Sequence, residues 1–401
     1  QIGAQNGLPI PGNVQRFVGP HWGHVKGFAL PPAADGTPID PGPPPRLGET
    51  DAAFERAALE VIRDSSYLDP SDGVQIDIGP GALGDNTLGT NDGDGHDLNP
   101  ASGEPYDPDK VLRGDYARAL AQFWADGPAS ETPPGHWNTV ANDVSDTPGF
   151  RFRIGGTGPE VDRLEWDVKL YFDLNGAVHD AAVAAWGLKG SYDSVRPISM
   201  IRYMAGLGQS SDPDAPSYDP QGLPLVPGLV EVVTERSSAP GARHEDLAGH
   251  DGEIAIRAWR GNPEDPATQT AAVGWILATE WVPFQLSTFV TPAFAGYVSG
   301  HSTFSRAAAE VMTAITGTPY FPGGLFQSTV PADSLQVELG PSRDVVLEWA
   351  TYYDAADQAG VSRLYGGIHI AADDFAGRTL GSVCGQDAWS LAQQYFAGDA
   401  P

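Results

Sequence analysis

Residues 297–305 read YVSGHSTFS and run directly into RAAAEVMTAI. The second stretch has the composition of a helix, so Ser299, Gly300 and His301 stand at or just before its first turn. A helix start offers free N–H groups and the positive end of a dipole, which together suit an anion. His301 adds an imidazole that can move protons near neutral pH. Serine and glycine are also ordinary capping residues, so this stretch alone leaves both readings open.

Cations elsewhere sharpen the choice. Lysine is scarce, and Lys189 lies in WGLKGSYDSVRPISMIRYM with Arg196 seven residues on. Two helical turns would bring both to one side, although Gly190 and Pro197 make a perfect helix there a poor approximation. Near the C-terminus, VSRLYGGIHIAADD supplies Arg363, His369 and, one turn later, Asp373. A carboxylate four residues after a histidine can fix its orientation and tautomer. Lys189, Arg196 and Arg363 amount to three cations for a tetrahedral oxyanion, with the Ser299 hydroxyl and the Gly300 amide as neutral donors. His301 and His369 would approach opposite poles of that anion.

The order Lys189–Arg196–Pro197, Ser299–Gly300–His301 and Ser362–Arg363–His369–Asp373 resembles the shared signature of vanadium-dependent haloperoxidases and type 2 phosphatidic acid phosphatases. The resemblance extends from near Trp166 to near Gly377; the proline usual before the serine is replaced by Val298. It implies vanadate as cofactor, with phosphate able to take its place. His369 would be the protein ligand to the metal, and Lys189, Arg196, Ser299, Gly300 and Arg363 would hold the oxygens. His301 would act as base on hydrogen peroxide and Lys189 would polarise the bound peroxide. Asp373 would fix His369 or pair with Arg363. In a phosphatase the same cradle would serve with His369 as nucleophile.

Two residues outside the blocks bear on that choice. Trp186 stands three before Lys189 and Phe294 five before Ser299. The fungal chloroperoxidases of this family look similar at both offsets, where the rings line a halide pocket. An apolar ring edge beside cations suits a soft, weakly hydrated anion, although both rings are equally compatible with plain core. The segments HDAAVAAW, YDSVRPISMIRYM and PAFAGYVSGHSTFS look more like bacterial haloperoxidases than phosphatases. The reading is a haloperoxidase oxidising halide with hydrogen peroxide to hypohalous acid, with acid phosphatase as the alternative.

The elements that must position these residues are mostly helical. Helical spacing appears over 49–66, 109–127, 160–207, 250–260, 267–281, 303–316, 343–364 and 372–396, with strand alternation only near FRFRIGG. The expected fold class is mainly α, a helical bundle of the haloperoxidase and acid phosphatase type with long Pro/Gly-rich loops. Residues 1–159 are read as an N-terminal wrapping arm with helices, Trp22 and Phe28 anchoring it, and 160–401 as the core carrying the site, the two making one compact unit.

The 401 residues, 41% hydrophobic, suffice for a large core and a self-contained monomer. A net charge of −29 argues against nucleic acid and anionic membrane as partners. No apolar run is long enough to insert into a membrane. A single cysteine, Cys384, permits no intrachain disulfide. The acidity and a start at Gln1 without methionine suggest a processed, secreted or periplasmic protein.

Other constellations are weaker. RHEDLAGHDGE spaces its histidines six apart, which does not match a zinc helix. NDGDGHDLNP offers weak calcium or sodium binding at 91–97 but departs from the EF-hand pattern. Ser299 lacks the G-x-S-x-G elbow of a serine hydrolase. A non-catalytic anion-binding protein would leave the paired His301 and His369 without a task.

Overall fold

The computed structural model describes residues 17–30, 39–49, 51–127 and 130–399. Eight α-helices occur among them: α1 (Asp51–Ser66), α2 (Arg113–Phe123), α3 (Pro133–Asp146), α4 (Arg163–Tyr192), α5 (Pro197–Leu207), α6 (Gly300–Thr316), α7 (Tyr352–Tyr365) and α8 (Ala371–Ala397). Local chemistry sets their ends. The Asp162 carboxylate accepts from the Glu165 N–H at 2.8 Å to start α4, and Thr351 and Asp354 form a capping box on α7. Gly317 and Gly398, both left-handed, close α6 and α8.

The bundle core is α4, α6, α7 and α8, with α3 packed on α6. Its buried residues come from both sides of residue 160, for example Trp124 and Trp137 with Trp166, Leu174 and Val311. The buried indole N–H groups of Trp137 and Trp166 donate to Ser305 Oγ (2.9 Å) and Ser145 Oγ (3.0 Å).

α6 and α8 approach one another closely. Gly377, Gly381 and Gly385 recur every four residues along one side of α8. A Cβ at these positions would lie 2.8 Å from Ser299 O, 2.3 Å from Thr303 O and 2.5 Å from Ala307 O. The α6 backbone therefore occupies the space that side chains would need, and the first turns of the two helices meet.

Several expected helices are strands. Residues 250–260 and 267–281 contain β4 (Ile254–Trp259) and β5 (Val273–Leu277), which join β3 (Val230–Val232) in an antiparallel sheet of order β3-β4-β5. Ile256 faces Val230 on one side and Ile276 on the other. Ile254 and Ile256 of β4 bury against α1 and α5, whereas Ala255 faces the cluster of Val233, Leu247 and Leu277. With both faces covered, the polar/apolar alternation that marks a strand is missing.

The segment 343–364 likewise divides into β7 (Val345–Trp349), paired with β6 (Phe326–Val330), and α7. The front of 109–127 is a short strand, β2 (Lys110–Leu112), paired with β1 (Gln75–Asp77). FRFRIGG forms no strand, only an isolated bridge from Arg153 to Glu160.

Residues 17–30 lie along α4. Asp180 accepts the N–H groups of Phe28, Ala29 and Leu30 at 2.5, 2.7 and 3.0 Å. The Phe28 ring stands edge-on to Phe172 and fits over Gly176, where a Cβ would come 2.4 Å from it. Trp22 is a weaker anchor, 42% exposed beside His179. The rest of the arm, 1–16 and 31–38, lies outside the described residues, as does Gln1. No helix among the described residues is long and apolar enough to cross a membrane.

Candidate functional site

The corner between α4 and α5 places the first two cations. The chain leaves α4 at Asp193, which is left-handed at φ 42°, and Arg196 stands immediately before α5 as its N-cap. Lys189 and Arg196 are therefore not two turns apart on one helix. They meet because both reach the segment before α6: the Lys189 ammonium donates to the carbonyls of Ala295 (2.8 Å) and Gly296 (2.9 Å), and Arg196 Nε donates to that of Phe294 (3.1 Å).

Arg196 also donates from Nη1 to Ile368 O (2.8 Å) and approaches His369 Nε2 at 2.9 Å. A guanidinium only donates, so Nε2 carries the lone pair. His369 Nδ1 then holds the proton and donates to Asp373 Oδ2 at 2.9 Å. The Asp373 carboxylate is fixed in turn by the Ile370 N–H (3.3 Å) at the start of α8. Asp373 thus contacts His369, and the alternative pairing with Arg363 is not made. Arg363 Nε donates to Ser362 Oγ and Nη2 to Ala121 O.

Ser299 caps α6. Its hydroxyl oxygen accepts from Ser302 N (3.3 Å) and Ser302 Oγ (2.8 Å), leaving its own proton for another acceptor. Gly300 follows at the first helical position, where a Cβ would meet only ordinary contacts with Phe304 and Trp186.

These groups close one end of a cavity of about 460 Å³. Arg196, Gly300, His301, Arg363 and His369 line it directly, together with Trp186 and Phe294. Lys189 and Ser299 are fully buried beside them. The Phe294 ring lies against the cations, its centroid 5.0 Å from Lys189 Nζ and 5.2 Å from Arg196 Cζ. Trp186 packs on Phe294 at 4.9 Å, and its indole N–H donates to Val18 O at 2.9 Å.

Burial and mutual repulsion set the titration of the site. Burial, then Arg196, pushes the Lys189 ammonium well below its usual range. Burial lowers Arg196 and Arg363 to about 10, where both stay charged at neutral pH. His369 is pushed well down by burial, then by Arg196 and Lys189, and is a neutral imidazole. Burial raises Asp373 against the pull of Lys189 and Arg196.

One member of the site has no counterpart among the residues singled out in the sequence. Asp126 Oδ1 lies 3.0 Å from His136 Nδ1, and Oδ2 lies 3.2 Å from His301 Nε2, close but not aligned as a hydrogen bond. Burial would raise this carboxyl, but the contacts with His136 and His301 outweigh it and hold it at about 2. His301 is itself lowered by burial and by Arg363, which exceed the opposing pull of Asp126. The His136 ring stacks on Trp124, with centroids 4.4 Å apart.

The donor set fits a tetrahedral oxyanion. Arg196 Nη2 is fully buried and has no partner, a costly state for a guanidinium nitrogen. Beside it stand the His369 lone pair, the unencumbered Gly300 turn and two further buried cations. No other grouping competes: among the described residues, no three His, Cys, Asp or Glu side chains converge as a metal site. Within the 91–97 loop the side chains of Asp92 and His96 are engaged in contacts of their own. Asp92 accepts from Thr87 N and Thr90 Oγ1, and His96 pairs with Asp354 at 2.8 Å.

A family model described as the VCPO second helical-bundle domain matches residues 169–224 and 243–398. Among solved structures, an apo-type bacterial vanadium-dependent chloroperoxidase aligns with a TM-score of 0.60 at 18% identity, over 97% of this chain and 60% of that one. The first bacterial vanadium-dependent iodoperoxidase aligns with a TM-score of 0.50 at 18% identity, over 95% and 58%. The vanadate-dependent bromoperoxidase AnII from Ascophyllum nodosum gives 0.50 at 13%, over 95% and 71%. The chain thus spans about three fifths of the bacterial structures. At these identities the likeness is one of fold. No curated protein sequence matches.

Proposed function

The chain belongs to the VCPO second helical-bundle domain family, that of the vanadium chloroperoxidases, and from that premise we propose that it is a vanadium-dependent haloperoxidase, oxidising halide with hydrogen peroxide to hypohalous acid. The observation that carries this is the buried, unpartnered Arg196 Nη2 beside the neutral His369 Nε2 at the base of a cavity.

Bound vanadate would supply a Lewis acid that polarises peroxide without changing oxidation state. His369 Nε2 would ligate the metal, its tautomer held by Asp373. Arg196, Arg363, the Gly300 N–H and the Ser299 hydroxyl would hold oxygens. Lys189 would add a further donor to those oxygens and to peroxide, and it ties the segment 294–296 to α4. His301, kept neutral by burial and Arg363, is the base that takes a proton from hydrogen peroxide, with Asp126 orienting it. Trp186 and Phe294 offer the halide ring edges beside cations. An acid phosphatase is not favoured, since the matching family is the chloroperoxidase one. Export, to the periplasm or beyond, belongs to the same proposal and is supported by the acidic composition.

The test is reconstitution of vanadate-free protein with orthovanadate, assayed with hydrogen peroxide and iodide, bromide or chloride. Hydrolysis of p-nitrophenyl phosphate is followed beside it. Vanadate-dependent halide oxidation that His369→Ala abolishes is the expected result. Phosphatase turnover inhibited by vanadate, with no halide oxidation, would overturn the proposal.

A further inference from the structure

Behind the base of the site stands a second imidazole that the function proposed above leaves unused. Asp126 lies between the two: its Oδ2 is 3.2 Å from His301 Nε2 and its Oδ1 is 3.0 Å from His136 Nδ1. The three groups lead outward. His301 and Asp126 line the cavity, and the Asp126 side chain is only 1% exposed. His136 does not line it; its ring stands beyond Asp126 and is 13% exposed.

Aromatic neighbours hold the outer ring in place. His136 sits in the first turn of α3, after Pro133 and Pro134. Its ring stacks on Trp124 and stands edge-on to Phe123, with centroids 4.4 and 5.1 Å away. With Nδ1 committed to Asp126, Nε2 is the nitrogen left to exchange with solvent. Asp126 faces the ring from the loop after α2, Asp143 from two turns further along α3, and His301 of α6 from across Asp126. Asp143 is exposed, and its negative charge favours a proton arriving there. An amide side chain would satisfy the Asp126 carboxylate as well as an imidazole does; an imidazole adds the ability to gain and lose a proton.

Resting on the function proposed above, we propose that His136 is the outer proton donor of the site and reloads His301 through Asp126. Halide oxidation consumes a proton: X⁻ + H₂O₂ + H⁺ gives HOX + H₂O, with two electrons passing from halide to the peroxide O–O bond, which breaks. His301 returns the proton it took from peroxide as one oxygen leaves as water. The second proton, the one consumed, comes through the relay. Solvent protonates His136 at Nε2, and the Nδ1 proton moves to Asp126 Oδ1. The carboxyl group then turns about its Cβ–Cγ bond and hands that proton to His301 Nε2. Asp126 rests as an anion, so it retains no proton between turnovers.

His136→Asn is the test variant, because its amide can donate to Asp126 from near the Nδ1 position but passes no proton onward. The first reading is NMR of vanadate-free protein carrying ¹⁵N-labelled histidine. His301 should titrate at higher pH in the variant than in the parent, since Asp126 is no longer shared with a second imidazole. Identical His301 titration in the two proteins overturns the link. The second reading is bromide oxidation after reconstitution with vanadate. General acid–base transfer contributes about 10²–10⁴-fold, and loss of the outer donor alone should lower kcat about tenfold with KM for bromide and peroxide unchanged. Raising acetate at fixed pH and ionic strength should restore the variant, a diffusible acid replacing the imidazole, and leave the parent unchanged. A kcat equal to the parent's, or a loss that acetate does not rescue, overturns the relay. Thermal midpoints check folding, and His136→Gln carries the same readings if the asparagine variant does not fold. If the parent oxidises no halide while the His301 titration moves as expected, the peroxidase reading fails and the proton link stands.

Discussion

Gly381→Ala tests whether the glycine row on α8 sets the distance between the two halves of the site. The added Cβ would lie 2.3 Å from Thr303 O, 3.0 Å from Arg306 Cβ and 3.1 Å from Ala307 N. Ordinary contact begins near 3.4 Å, so α6 and α8 must part by about 1 Å, and the nearest atom belongs to the backbone. Alanine in a helix interior is intrinsically better than glycine by about 1 kcal/mol. Forcing a methyl into a packed interface costs about 1–3 kcal/mol, more where backbone must move. The expected net effect is destabilisation of about 1–2 kcal/mol.

The functional effect should be larger, because Ser299, Gly300 and His301 start α6 while His369 and Asp373 stand at the start of α8. A 1 Å misplacement at a reacting centre can cost about 100-fold in rate. The assays are thermal unfolding, calorimetric titration of vanadate-free protein with phosphate, and halide oxidation after reconstitution. Gly190→Ala is the control, since that helical glycine is exposed and has nothing within 4 Å of its virtual Cβ. If Gly381→Ala is stabilised as the control is, with phosphate affinity unchanged, the glycine row does not set the site.

Three further outcomes are expected. Asp173 is buried with both carboxylate oxygens unpartnered, and burial raises it to about 8, so it contributes stability that is present below pH about 4 and lost as pH rises through about 8. Asp173→Asn should flatten that fall and recover on the order of 2 kcal/mol at pH 7, the amide still lacking partners, as read by denaturant titration across pH. Asp126 is held at about 2, so its stabilising contribution is present above about pH 4 and lost as pH falls through 2. Asp126→Asn should cost about 2 kcal/mol at neutral pH and move the acid limb of the halide-oxidation profile to lower pH, as His301 loses its anionic neighbour. Phosphate binding to vanadate-free protein should draw protons onto Lys189, so affinity should fall as pH rises. Calorimetry in two buffers of different ionisation enthalpy measures that uptake, and none would mean Lys189 is already charged.

Much of the site could be read in the sequence because its residue types are costly to bury without a reason. Lys189, Arg196, Arg363 and His369 are each nearly or wholly inaccessible, and each lies in a short motif of fixed order. How they meet was not legible. Lys189 and Arg196 converge across a helix corner through the carbonyls of 294–296, a contact that no local spacing encodes. Asp126 lies 175 positions before His301 in WADG, which reads as a simple turn, and its positive φ of 49° agrees with one. A helix with one apolar face, such as α1, is legible from its spacing, whereas β4 and β5, covered on both faces, carry no alternation that separates them from a helix.

The buried Arg196 and Arg363 sit inside a molecule with 52 acidic and 23 basic residues. A halide ion therefore travels through a repulsive outer field before it meets an attractive floor. At low ionic strength that field extends tens of ångströms into solution; at 1 M salt it is confined to about 3 Å. Encounter with the anion should then quicken as salt is added, opposite to the usual behaviour of enzymes that steer their substrates by charge. Chloride or bromide at high concentration would serve both as reactant and as the screen that admits it.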